Sequence, residues 1–229
     1  MTNLKTKDSF NSKLNLPVGI GLFISLFGIT LVGELVSYFN FKPDSYTAQL
    51  LFSDFRKWIL TGILLAIIIF WEKRKLSSIK IEKPEVKTFL MAVGLGLVSV
   101  IVGVLTLGIF YNVLGLKQPE ALSSVGNLPL VIKLFTITTA AITEEIFYRG
   151  YSIERIGEIL NNYKLGAIIS GLIFLAIHYP VWGLAGAIPQ IIFAIFLIGF
   201  YLYKRNLIAC IAMHWVINFS MIVVLPSFL

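Results

Sequence analysis

The sequence predicts an all-α, polytopic transmembrane helical bundle of about seven spans. Three observations predict it. Hydrophobic residues make up 57% of the chain and charged residues 14%, against about 45–50% and about 25% in soluble domains. Mean hydropathy is +0.87. The apolar residues are gathered into runs that reach the roughly 20 helical residues needed to cross a bilayer, and the lysines and arginines fall mainly in the connections between them.

The first span is expected from Pro17 to Phe39. The polar stretch Met1 to Leu16 has neither the apolar core nor the cleavage site of a signal peptide, so the first run should be retained. The second span runs from about Phe52 to Trp71 and is densest from Trp58. The third runs from Phe89 to Leu114. The fourth starts at Leu128 and ends near Glu154. Inside it lies Thr143-Glu144-Glu145-Ile146-Phe147-Tyr148-Arg149-Gly150. The fifth, Leu165 to Tyr179, is short. It runs into Tyr179-Pro180-Val181-Trp182-Gly183, which leaves room for an eighth, re-entrant piece around Pro180 to Pro189. Broken backbone at membrane depth is tolerated where protein or a wet cavity covers it. The sixth span is Trp182 to Tyr203 and the seventh Asn206 to Leu225. Gly166 with Ser170, and Gly183 with Ala187, have the spacing of close-approach faces between helices. No soluble domain fits in the remainder. Residues 1–127 are read as N-terminal spans of the same single domain as 128–229.

A net charge of +7 could point to nucleic acid, but its distribution excludes that reading. One side of the seven-span topology collects Lys5, Lys7, Lys13, Lys73, Arg74, Lys75, Lys80, Lys83, Lys87, Arg149, Arg155, Lys164, Lys204 and Arg205. The other has Lys42, Arg56, Lys57 and Lys117, plus Lys133 near the outer end of the fourth span. The positive-inside rule then puts the N-terminus in the cytoplasm, in an integral membrane protein. Cys210 is the single cysteine, so no disulfide framework exists.

The polar groups within the spans carry the functional signal. An ionisable group at the centre of a spanning helix costs roughly 2.5–3.5 kcal/mol, yet Glu144, Glu145 and Arg149 fall within one stretch. The chain has 2 histidines, His178 and His214, and both lie in spans. Residues i and i+4 share a helix face. Arg149 therefore pairs with Glu145, Phe174 sits beside His178, and Asn218 beside His214. Glu144 is turned about 100° from Glu145 and is left available for chemistry. At 1.5 Å per residue from the inner boundary, Glu144 lies roughly 15 Å deep, His178 roughly 20 Å, His214 roughly 12 Å and Asn218 roughly 18 Å. Three helices thus bring a base, electrophilic donors and a positioning pair to a similar level, which is the inventory of an active site.

Elimination narrows the chemistry. Ser170-Gly171 lacks the glycine two residues earlier that an intramembrane serine nucleophile requires. The aspartates Asp8, Asp44 and Asp54 lie in polar segments of the N-terminal half, so no aspartyl dyad forms in the later spans. His-Glu-x-x-His is absent. What remains is water activated by a glutamate. In one version Glu144 acts without metal and the histidines and Asn218 stabilise the oxyanion. In the other, zinc or another divalent metal is held by Glu144, His178 and His214. Asn218 favours the first version, being a poor zinc ligand and a good oxyanion donor. A non-enzymatic membrane scaffold or immunity protein, and a proton-coupled transporter, are the alternatives from other functional classes.

Glu144-Glu145-x-x-x-Arg149, Phe174-x-x-x-His178 and His214-x-x-x-Asn218 resemble, in order and spacing, the three motifs of the CPBP intramembrane proteases. These include type II CAAX prenyl endopeptidases and bacterial Abi-type bacteriocin self-immunity proteins. The resemblance spans Leu128 to Ser220. It implies hydrolysis of a peptide bond within or beside the membrane, with Glu144 activating water and His178, His214 and Asn218 lining the site. Glu145 and Arg149 would position the motif helix. The family has been described as metalloproteases and also as metal-free. The implied substrate is a membrane-associated peptide or C-terminal tail, prenylated in eukaryotic members, and the small size suits a protein of the bacterial plasma membrane.

Overall fold

The computed structural model describes residues 14–40, 43–115 and 124–227, and every regular element among them is helical. Helix α1, Leu16–Tyr38, contains a π-helical turn at Ile24–Gly28. Its first turn is capped by the Asn15 side chain, which accepts from the Val18 amide at 3.1 Å. Helix α2, Tyr46–Ala66, runs on through a π turn at Ile67–Trp71. It begins well before Phe52, because Ser45 caps it by accepting from the Ala48 amide at 3.2 Å, and neither proline nor glycine interrupts residues 46–57. Helix α3 is Val86–Leu114, ended by Gly115 at φ 61°. Helix α4, Leu130–Glu144, passes without a break into a π-helical segment, Glu145–Ile153, and then α5, Glu154–Leu160. The rod thus outruns its expected end at Glu154 and stops at Asn161, in the left-handed conformation at φ 52°.

Helix α6 covers Tyr163–Lys204, capped by Asn162, and α7 covers Leu207–Phe219, capped by Asn206 and extended by a π turn at Ser220–Val224. A straight helix as long as α6 would measure roughly 63 Å, about twice a bilayer's hydrocarbon core. It is not straight. Gly183 has φ 60° and ψ −169°, and the two halves fold back on each other: a Cβ on Gly171 would lie 2.7 Å from Ile198 Cδ1. The fifth and sixth runs are therefore a helical hairpin bent at one residue. No separate re-entrant piece stands between Pro180 and Pro189, which both lie inside helix.

The expected packing role of Gly183 is corrected accordingly. A Cβ there would meet nothing within 4 Å, so its glycine serves the left-handed bend. The other small pair does pack. A Cβ on Gly166 would fall 2.8 Å from the Ile153 carbonyl and 2.9 Å from the Gly157 nitrogen, and Ser170 Oγ donates to the Tyr148 carbonyl at 2.7 Å. This contact seats the hairpin against the π segment.

Among the described residues, four runs are long and apolar enough to cross a membrane: Leu16–Tyr38, Val86–Phe110, Tyr163–Lys204 and Leu207–Val224. The expected count of about seven is not reached on that criterion. Asp54, Arg56 and Lys57 interrupt α2, charged residues interrupt the rod at 130–160, and the hairpin counts once. The interior holds ionisable groups within an apolar core, and the outside exposes large apolar side chains. Asp54, Glu144, Glu145, Arg149, Glu154 and Arg155 are buried, while Leu105, Ile109, Leu172 and Ile195 are more than 60% exposed. Water would disfavour such a surface, whereas lipid tails accept it.

At one end of the bundle, ion pairs tie the helices together. Arg155 pairs with Glu72 at 2.7 Å and donates to Ser78 Oγ at 2.9 Å. Tyr151 donates its hydroxyl to the same Glu72. Glu154 accepts from Arg205 at 2.6 Å and from Tyr201 at 2.7 Å. Two charges assigned from sequence to an outer connection, Arg56 and Lys57, instead lie within α2. Lys5, Lys7, Lys13, Lys42 and Lys117 lie outside the described residues.

Candidate active site

Glu144 is the last α-helical residue before the backbone widens into the π segment. π turns are rare and are found mostly as short bulges, frequently at functional sites. Glu144 lines a cavity of about 130 Å³ together with Phe174 and His178 of the first hairpin arm, and His214 and Asn218 of α7. The four residues expected at similar depth, Glu144, His178, His214 and Asn218, thus meet in one space. Trp182, Gln190 and Phe193 complete much of its wall.

The two adjacent glutamates live differently. Glu145 is fully buried and held by three short contacts. His214 Nδ1 is 2.8 Å from its Oε1, Arg149 Nη1 is 3.1 Å from the same oxygen, and Cys210 Sγ is 3.2 Å from Oε2. Glu144 has looser neighbours, with Lys57 Nζ 3.7 Å from Oε1 and His178 Nε2 3.8 Å from Oε2. The Glu145–Arg149 pair expected from the sequence is present, but Glu145 also orients His214, a link that helical spacing alone does not reveal.

The hydrogen bonds fix both imidazole tautomers. His178 Nδ1 lies 2.7 Å from the Phe174 carbonyl, and a carbonyl can only accept, so Nδ1 carries the proton. His214 Nδ1 faces a carboxylate oxygen and donates likewise when Glu145 is ionised. Nε2 is the nitrogen each ring has left for the cavity. In a neutral ring it accepts; it donates only once protonated.

Phe174 joins the motifs. Its ring packs at a tilt against His178 with centroids 4.1 Å apart, and the buried Arg149 guanidinium lies over it at 4.7 Å. Glu145, Arg149, Phe174 and His178 thus form one chain of contacts, while Glu145 reaches His214 directly. The three sequence motifs are physically interlocked.

Sequence reasoning missed Lys57, Asp54 and Gln190. Asp54 was read as part of a polar segment, but it is fully buried, accepting from Thr136 Oγ1 at 2.8 Å and pairing with Lys57 at 3.4 Å. The usable signal was Asp54-x-x-Lys57 within an uninterrupted helical run.

Among the described residues, no three His, Cys, Asp or Glu side chains are placed as a ready metal-binding group, although Glu144, His178 and His214 line the same cavity. The Lys57 ammonium beside Glu144 would repel a divalent cation.

The comparison with protein families bears on the same part of the chain. Residues 126–220 match the family of type II CAAX prenyl endopeptidases, Rce1-like. This Rce1-like match, consistent with the CPBP resemblance, covers the whole motif set from Glu144 to Asn218 and excludes Lys57. The family is one of proteases, which supports peptidase activity for this chain. Among curated proteins and solved structures, nothing matches.

Proposed function

We propose that the protein is an intramembrane endopeptidase whose Glu144 activates a water molecule for attack on a peptide carbonyl. The observation that carries this reading is the cavity shared by Glu144, His178, His214 and Asn218, in which Glu144 is loosely held and Glu145 is locked. The 3.8 Å between Glu144 Oε2 and His178 Nε2 is too long for a direct hydrogen bond and suits a water that touches both. Glu144 takes one water proton as the oxygen attacks the carbonyl carbon. The tetrahedral oxyanion is met by the Asn218 amide, and by Nε2 of a histidine in its protonated form. Glu144 then returns the proton to the departing amine as the C–N bond breaks, giving a carboxylate and a free amine.

The substrate is a membrane-associated peptide or C-terminal tail, entering from the bilayer or its surface. The chain crosses the membrane about seven times, counting α2, the rod at 130–160 and both hairpin arms, with the N-terminus in the cytoplasm. The test is Glu144→Gln in folded, membrane-inserted protein. Cleavage of a suitable peptide should be abolished, and unchanged turnover would refute the proposal.

A further inference from the structure

Lys57 stands outside the residues matched to the protease family, yet it is the ammonium beside the glutamate assigned as base. Its setting is built from two directions. On its own helix, Asp54 lies three residues earlier, fully buried, and pairs with Lys57 at 3.4 Å. From the facing helix, Thr136 donates to the other Asp54 oxygen at 2.8 Å. Thr136 and Glu144 both belong to α4, so the helix that carries Glu144 also anchors the carboxylate that holds Lys57. The Lys57 side chain is 16% exposed. A lysine in such a place needs partners, and the structure supplies Asp54 and Glu144.

The contacts divide the Glu144 carboxylate. Lys57 addresses Oε1 at 3.7 Å, and His178 addresses Oε2 at 3.8 Å. With an ammonium on one oxygen, rotation about the last side-chain bond is restrained and the other oxygen is directed toward His178. The ammonium also gives Glu144 a countercharge in a setting where water does not.

We propose that Lys57, anchored by Asp54, is the positioning residue of the site. It holds Glu144 Oε1 so that Oε2 faces the reacting water shared with His178. The proposal rests on the reading of Glu144 as the base. Asp54 supports Lys57 and does not touch substrate.

Two measurements test it, in full-length protein purified in detergent. The first is steady-state kinetics on Lys57→Gln, Lys57→Arg and Asp54→Asn. Lys57→Gln should lower kcat roughly tenfold, a middle value for coupling between contacting charged residues, with KM within about twofold of the parent. Lys57→Arg should recover most of that loss, and Asp54→Asn should give a smaller loss in kcat. A kcat for Lys57→Gln within twofold of the parent overturns the proposal, as does an arginine variant no better than the glutamine one. The second measurement requires no turnover: a thermal-unfolding cycle of Lys57→Gln, Glu144→Gln and their combination. Removing Lys57 leaves two carboxylates without their cation, so adding Glu144→Gln should restore part of the lost Tm. Strictly additive shifts overturn the proposal. If Glu144→Gln itself cleaves at the parent rate, the base assignment falls, while the cycle still reports whether Lys57 holds Glu144.

Discussion

Exchanging each of the two neighbouring glutamates for glutamine should separate folding from activity. Glu145→Gln removes the negative charge from a site where Arg149 and His214 converge at 3.1 and 2.8 Å. The Arg149 side chain is 2% exposed and would be left as a buried cation facing a neutral amide. Breaking a buried pair in this way costs about 3–5 kcal/mol. For a chain of this size that corresponds to a Tm lower by on the order of 10 °C. Glu144→Gln should behave otherwise. Its contacts are longer than 3.5 Å, and Lys57 keeps Asp54 as a partner, so the cost should be well below that of Glu145→Gln. The assay is thermal unfolding of both variants in one detergent, paired with peptide cleavage at a temperature where both are folded. Glu145→Gln with the parent Tm would refute the view that Glu145 is the structural centre of the motifs. A large loss of stability in Glu144→Gln would refute the view that this carboxylate is held loosely for chemistry.

Two further outcomes follow from the same geometry. Asn218→Ala should lower kcat about 10²–10³-fold, the range seen when one oxyanion donor is removed, and leave KM within a few-fold; kinetics on one peptide checks both. Turnover should persist after dialysis against a strong chelator, since the Lys57 ammonium beside Glu144 would repel a divalent cation; loss of activity restored by zinc would contradict this.

Much of the helical order was legible because apolar runs and polar connections alternate at bilayer length. The boundaries were less so. Ser45, Asn162 and Asn206 each cap a helix through a side-chain oxygen, and short polar residues at run edges are easily read as loop. The bend at Gly183 left a trace in Tyr179-Pro180-Val181-Trp182-Gly183, but its form depended on φ at one glycine, with the prolines continuing the helices around it. Within the site, contacts at i, i+4 were legible: Arg149 reaches Glu145, and Phe174 packs against His178. The long-range partners were not. Glu145 meets His214, 69 residues away in sequence, and spacing along one helix says nothing about which carboxylate a second helix will meet. Asp54 and Lys57 were hidden for another reason. Charges at the end of an apolar run look like topological signals, and only packing against α4 shows that they point inward.

The clasp at one end of the bundle bears on where this protein can be divided. A cut before residue 126 would separate Arg155 from Glu72, Thr136 from Asp54, and Glu144 from Lys57. The fragment would keep every recognisable motif and would carry orphaned charges in its interior. The stretch that resembles other proteases and the stretch that can hold itself together are different lengths of the same chain, and the helices with no family signature supply the difference.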